Sequence, residues 1–505
     1  RMLYIGILAG MISLHITAWS SSEFCDWYQG HVFGIWVDTY GRLVGLVPFS
    51  VGEVLIGFGA GFGAVGAVLG AIWLIDKAAV AWGKRGRKRR GGPGEIRGSG
   101  RKRARALEEV QGNGQLQGKE QIKTGVPGEG LGNGRERCSL LDRICRAYCA
   151  AGLWLLLGAF VLMTLNCYIL YHGSGFSGAY LIGEEREYAF EDLAALRNFV
   201  VEQCNGLCCQ VPRTADGTLF YEGDMLEAAK SAMGQLGETY EGLGGFYPTP
   251  KPLLSSDFMS QQHIAGCFYP FSMEANYNDV MYVMNLPSTL CHELGHLKGY
   301  IREDEANLIG YLACVRSEDL FFQYSGYLSV LYYVDKDFRQ AMENGAGPGS
   351  ETTRQSETTR QSETVQQSEV TQQNEAVQQS ETTRQNEAAW LSGFLDKRET
   401  GESLEAPRQP GALQKEASKT QPETQSQEWT QVQILPQVHA DNIFLTSQER
   451  TRIEKSTLLD TEAVDAISDS IADASLKLNG IRDGMISYSR VVELLLRYYD
   501  IYGYP

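Results

Sequence analysis

Cysteine is scarce in this chain, 11 in 505 residues. That is too few for a disulfide-stapled scaffold. None of the cysteines forms a CxxC pair, and the adjacent Cys208–Cys209 does not supply one, so a zinc ribbon or a dithiol redox site is excluded. An even spread of charge is missing as well. The formal net charge is −16, yet residues 77–146 hold 18 Lys and Arg against 7 Asp and Glu, which leaves −27 on the remainder. A basic block of that strength between two apolar runs argues against a single soluble globule. Its core, Lys84-Arg85-Gly86-Arg87-Lys88-Arg89-Arg90 followed by Arg101-Lys102-Arg103, has no aromatic residues interleaved for base stacking, so nucleic acid is not the expected partner. Contact with anionic lipid, or a role in setting membrane topology, fits such a cluster better.

What is present is apolar length. Three runs, roughly residues 3–19, 54–75 and 147–171, approach or exceed the ~20 residues that a helix rising ~1.5 Å per residue needs to cross a ~30 Å hydrocarbon core. The first is marginal, and the small residues from Ala18 onward also permit a cleaved signal peptide. In the second, Gly59/Gly63 and Gly66/Gly70 predict a helix face packed closely on another helix. The positive-inside rule keeps the basic block in the cytoplasm, which predicts a multi-pass cell-membrane protein with everything after Tyr171 outside the cytoplasm.

Two stretches offer little to bury. Residues 86–134 are rich in Gly, Arg, Gln and Lys, and from Glu351 a polar hexad repeats as ETTRQS, ETTRQS, ETVQQS, EVTQQN, EAVQQS and ETTRQN. Six is neither a helical nor a strand period, and a solenoid would need an apolar position to stack, so a disordered linker is expected. The expected organisation is two membrane helices with a connecting loop (1–76), a basic loop (77–146), a third membrane helix (147–171), a first soluble part (172–342), a linker (343–440) and C-terminal helices (441–505) that pack back on the soluble part. Helical spacing is clearest over 463–478 and 488–499.

Chemistry concentrates in Cys291-His292-Glu293-Leu294-Gly295-His296. On a helix, residues four apart share a face, so His292 and His296 can aim both imidazoles at one metal ion. Imidazole nitrogens suit zinc, and a catalytic zinc keeps a position open for water. Glu293 would stand beside the ion as the base that takes the water's proton. A third ligand is needed. Gly299 can end the first helix, and a second helix then begins near Arg302. One face of it carries Glu303, Ala306, Asn307 and Gly310, whose small residues would let the two helices approach. This favours Glu303 as ligand, with Asn307 orienting it, over Glu305 on the Leu308, Ile309 and Leu312 side.

The His-Glu-x-x-His helix followed by Glu-x-x-Ala-Asn resembles the gluzincin metallopeptidases, in which the first Glu of that second pattern is the third zinc ligand. The chain resembles more closely the bacterial membrane family catalogued as domain of unknown function 3810. The matching pieces are Pro48-Phe49-Ser50-Val51-Gly52-Glu53, Tyr269-Pro270-Phe271-Ser272-Met273-Glu274-Ala275-Asn276, the metal motif, Leu476-Lys477-Leu478-Asn479 and Ser487-Tyr488. Six residues separate His296 from Glu303, fewer than in most gluzincins. The resemblance implies a mainly α fold: about three N-terminal membrane helices, then a mostly helical zincin-like domain with a small β-sheet. It also implies a zinc peptidase, with His292, His296 and Glu303 as ligands and Glu293 as catalytic base.

Other expectations are local. Gly266–Phe271 and Asp279–Met284 read as strands around a turn at Glu274–Asn278, with Val280–Met284 holding the substrate backbone by strand addition. Glu274 reads as a turn residue, His263 as a loop histidine, and Glu53 as a side chain snorkelling at the membrane interface. Tyr488 is a candidate oxyanion donor. The expected activity is hydrolysis of peptide or protein substrates outside the cytoplasm with Zn2+, on a chain that also meets membrane lipid. The competing reading is a non-catalytic membrane sensor or scaffold whose metal site is structural or ligand-binding. A transporter fits poorly with three spans and few intramembrane charges.

Overall fold

The computed structural model describes residues 2–90, 140–183, 186–344, 430–456 and 490–504. The basic block beyond Arg90, the hexad repeats, the helix expected over 463–478, and Tyr488 lie outside the described residues. The fold is mostly helical with one small three-stranded sheet. Three helices are long and apolar enough to cross a membrane: Met2–Ser20, Val51–Trp82 and Leu140–Tyr171. They mark the chain as a membrane protein and are called here the first, second and third spans.

The spans meet through specific pairs. His15 Nε2 lies 2.9 Å from Thr164 Oγ1 and Tyr4 packs edge-on to Trp154, which joins the first span to the third. The second and third are joined by Trp73 Nε1 donating to Asp142 (2.8 Å), by Lys77 paired with Asp142, and by Phe62 stacked on Tyr148. Of the four glycines expected to form a packed face, only Gly66 has a neighbour, the Tyr148 ring. Gly59, Gly63 and Gly70 face open space, and the contact between the two helices is made instead by the Phe62 and Tyr148 rings.

Three further expectations change. The second helix continues to Arg90, so residues 86–90 are helical rather than irregular. The connection between the first two spans is a helical run over 22–45, not a loop. Its start is capped by Ser21, whose Oγ accepts from the Phe24 N–H. The linker expected through 440 ends earlier, since Pro436–Asp441 is helical with Val438 and Asp441 buried. Asp441 accepts from Arg213 and Tyr324, partners that its sequence neighbourhood does not announce.

The chain divides into two compact units. The smaller one comprises 185–205 and 331–435. In it Arg197 donates to Asp335 at 3.0 Å, and Phe190 stacks on Phe338. The larger comprises 1–184, 206–330 and 436–505, and holds the spans, the sheet and the histidine motif. Its sheet has the order β1 (Lys251–Pro252), β3 (Glu274–Tyr277), β2 (Gly266–Tyr269), with β3 parallel to β1 and antiparallel to β2. The second strand is therefore Glu274–Tyr277, not 279–284. The turn falls at Pro270–Met273, where Met273 adopts a φ of 55°, and residues 280–284 form a bend and a short helical turn. Asn278 donates to the Ala265 carbonyl as the last bond of the ladder, and its Oδ1 then accepts from the Val280 N–H at 3.1 Å, a local turn that takes residue 280 out of the strand.

Two segments that carry the family resemblance meet at this sheet. Glu274 is buried on β3 rather than placed in a turn. It accepts from the N–H groups of Val51 (3.1 Å) and Gly52 (2.7 Å) at the start of the second span, and it pairs with buried Lys251. A carboxylate there satisfies two of the helix's free N–H groups and complements its dipole. Gly52 lies so close to the Tyr269 ring that any Cβ would overlap it. Glu53 does not snorkel: it accepts from the N–H groups of Leu254 (2.7 Å) and Ser255 (2.9 Å).

Candidate metal centre

The histidine helix, Leu286–His296, starts with Pro287 in its first turn, where a missing N–H costs nothing. It ends when Gly299, at φ +90°, turns the chain and donates to the His296 carbonyl. The chain re-enters a helix at Glu303–Val315 through the extended Arg302. Gly310 lets the two helices close together: a Cβ there would stand 2.9 Å from the Ser288 carbonyl oxygen and 3.1 Å from the His292 nitrogen. Ala306 is fully buried in the same helix.

This packing brings His292, His296 and Glu303 together, with one ligand atom from each all within 4.8 Å of one another. Glu303 Oε2 is 3.0 Å from His292 Nε2 and 3.6 Å from His296 Nε2, and the two Nε2 atoms are 3.1 Å apart. His296 Nδ1 lies 2.8 Å from the Tyr300 carbonyl oxygen, so that carbonyl holds the Nδ1 hydrogen and turns Nε2 toward the cluster. Glu305 is elsewhere. It accepts from the N–H groups of Phe176 and Ser177 (3.0 Å each) and from the Ser177 hydroxyl, and it pairs with Arg302. The two acids divide the work: one faces the imidazoles and the other caps the short helix Gly175–Tyr180.

Glu293 is 4% exposed and sits against β2, where a side chain at Gly266 would collide with its Oε1. Its Oε2 is buried without a hydrogen-bond partner. Burial raises its carboxyl to about 7, against the opposing pull of His292 and His296. Burial would lower His296, but the charge and hydrogen bond of Glu303, with help from Glu293, override it and raise that group to about 9. Burial likewise works to raise Glu303, yet the imidazoles hold it far below the usual carboxylate range. Two imidazole nitrogens and one carboxylate oxygen converging beside an unpartnered buried carboxylate form a donor set that fits a divalent cation of zinc's preferences.

The remaining candidates fall outside this cluster. His263 lies in a turn with its ring against Phe444, and Val280–Met284 is not a strand. Asn307 Nδ2 has no hydrogen-bond partner, so no bond links it to Glu303. Pattern reading missed Tyr300, whose carbonyl orients His296, and Phe268, whose ring stands 5.8 Å from that of His296. A backbone carbonyl leaves no mark in a sequence. Phe268 could have been found only from the right strand register.

A family model described as a protein of unknown function, DUF3810, matches residues 138–388. That stretch contains the third span, the sheet and both helices of the cluster, and over it the chain is similar to that family. The description assigns no activity. No curated protein and no solved structure matches the chain.

Proposed function

We propose that this protein is a membrane-anchored zinc metallopeptidase that hydrolyses peptide bonds outside the cytoplasm. One observation carries the reading: three ligand atoms from His292, His296 and Glu303 gather within 4.8 Å, beside a Glu293 oxygen that is buried and unpartnered. A structural site needs no such base. Bound by these three residues, zinc would supply a Lewis acid with room for water. Glu293 takes the proton of the attacking water at Oε2 and returns it to the leaving amine. A carboxyl poised near neutrality suits both halves of that transfer. Substrate backbone has a natural seat on β2, the sheet edge beside Glu293. The Asn278-to-Ala265 bond sets the ladder alternation so that the N–H and C=O groups of Gly266 and Phe268 point away from β3. The extracytoplasmic assignment rests on the basic residues that follow the second span.

The test uses the full chain in detergent or vesicles, loaded with zinc and mixed with a broad peptide library read by mass spectrometry. Glu293→Gln should keep stoichiometric zinc and lose cleavage by at least ~100-fold, the scale of a general base. Equal cleavage by Glu293→Gln, or none by the zinc-loaded parent chain, refutes the proposal in favour of a sensor or scaffold.

A further inference from the structure

The outer faces of the helical run over 22–45 are unusually apolar for a segment between two spans. Trp27, Ile35, Leu43 and, just beyond the run, Leu46 are between 52% and 81% exposed. They form a stripe because two wide helical turns, Gln29–Phe33 and Val37–Gly41, each absorb one extra residue. The eight-residue steps from 27 to 35 and from 35 to 43 then behave as sevens, close to two turns. The opposite face, including Tyr28, Phe33, Val37 and Val44, is buried. On that side Gln29 donates to the Lys298 carbonyl, Tyr40 donates to the Phe271 carbonyl, and Gly41 approaches Pro248.

The spans dictate where this helix lies. Asp142 and Lys77, paired across the second and third spans, mark one depth. From Asp142 to Asn166 is 24 residues, and from Lys77 back to Gly52 is 25. At ~1.5 Å each these are about 36 and 38 Å, just longer than a ~30 Å hydrocarbon core. The β2–β3 hairpin touches both far ends, since Asn166 donates to the Pro270 carbonyl and Glu274 accepts from Val51 and Gly52. The first span ends on the same side, with Trp19 against His172. Both ends of the 22–45 run are therefore tied to one membrane surface. A helix of about 36 Å with both ends at that level lies along the surface and cannot rise from it. Beside it, Glu53 in the first turn of the second span fixes the backbone of Leu254, whose side chain is 74% exposed.

We infer that residues 22–46 form an interfacial helix whose Trp27–Ile35–Leu43–Leu46 stripe is embedded in the lipid headgroup and upper acyl region. Leu254 inserts beside it, so the metal-bearing unit is seated on the bilayer instead of being tethered above it. The occupant of the stripe is bilayer lipid, because the run joins the first span directly to the second and both expose apolar side chains next to it, Ile16 and Trp19 on one side and Val54 and Leu55 on the other. Asp38 and Arg42, a solvent-exposed pair at 3.5 Å with the Arg42 guanidinium stacked 3.7 Å over the Phe246 ring, form the polar border between the stripe and the metal-bearing unit.

The test is spin-label accessibility on the full chain in phosphatidylcholine/phosphatidylglycerol vesicles. Labels are placed at Leu43→Cys, Ile35→Cys and Leu254→Cys, with exposed Gln235→Cys as the aqueous control and the signal of the labelled parent chain subtracted. All four are exposed positions, so the fold tolerates the label. The ratio of collisions with oxygen to collisions with a water-soluble nickel chelate should be several-fold above the control at 43, 35 and 254, since an apolar face seated at the headgroup/acyl boundary meets oxygen and excludes the chelate. Ratios equal to the control place the stripe in water and overturn the inference. Low accessibility to both reagents places it against protein, such as a second copy of the chain, and also overturns it.

Discussion

Replacing Glu303 by Gln removes the negative charge from the cluster and keeps the side chain's size. In the structure that carboxylate stands 3.0 and 3.6 Å from the two histidine Nε2 atoms. Structural zinc binding is worth ~10–16 kcal/mol over four ligands, about 2.5–4 kcal/mol each, so losing one anionic ligand should weaken zinc by roughly 10²- to 10³-fold. Glu305→Gln is the matched control. It should leave zinc affinity within about threefold, because that carboxylate lies on the Phe176 and Ser177 N–H groups. It should also lower stability by ~1–3 kcal/mol through a weakened buried cap. Competition against a graded series of chelators, with metal content by mass spectrometry, reads the first effect, and thermal unfolding of the metal-free chain reads the second. The reasoning is refuted if Glu303→Gln binds zinc like the parent while Glu305→Gln loses it.

Other consequences are as direct. Gly310→Ala forces a methyl against the Ser288 carbonyl and should cost ~1–3 kcal/mol by denaturation and weaken zinc, since the helices that carry the ligands must separate. Lys251→Met leaves Glu274 buried without its cation and should cost ~3–5 kcal/mol, more than Glu274→Gln, in the same unfolding assay. Metal uptake should release a proton near pH 7. His296 is raised to about 9 in the metal-free protein, so it is protonated there and must give that proton up to bind. Calorimetry in buffers of different ionisation enthalpy measures this, and metal affinity should climb with pH up to about 9. By the same shift, the metal-free fold gains stability that is complete below about pH 6.5 and is lost as pH rises through about 9.

Much of the plan is written locally. Apolar length alone determines the three spans, because a bilayer demands unbroken runs and nothing else in the chain needs them. The four-residue spacing of His292 and His296 fixes their common face by helical geometry, whatever the rest of the fold does. Helix-face reasoning also singled out Gly310 and Ala306, residues small enough for a close crossing. What the sequence left open was every relation between distant segments. Glu303 and Glu305 are two residues apart and chemically alike; which one meets the imidazoles depends on how two helices cross and on where the Gly175–Tyr180 helix offers its N–H groups. Strand register over 266–284 depended on Asn278 finding the Ala265 carbonyl, and Glu274 became a helix cap only because the second span starts beside β3. Periodicity follows from forces within one element, and it is legible along the chain. Partner choice for a buried charge follows from which elements come together, and that is settled only in three dimensions.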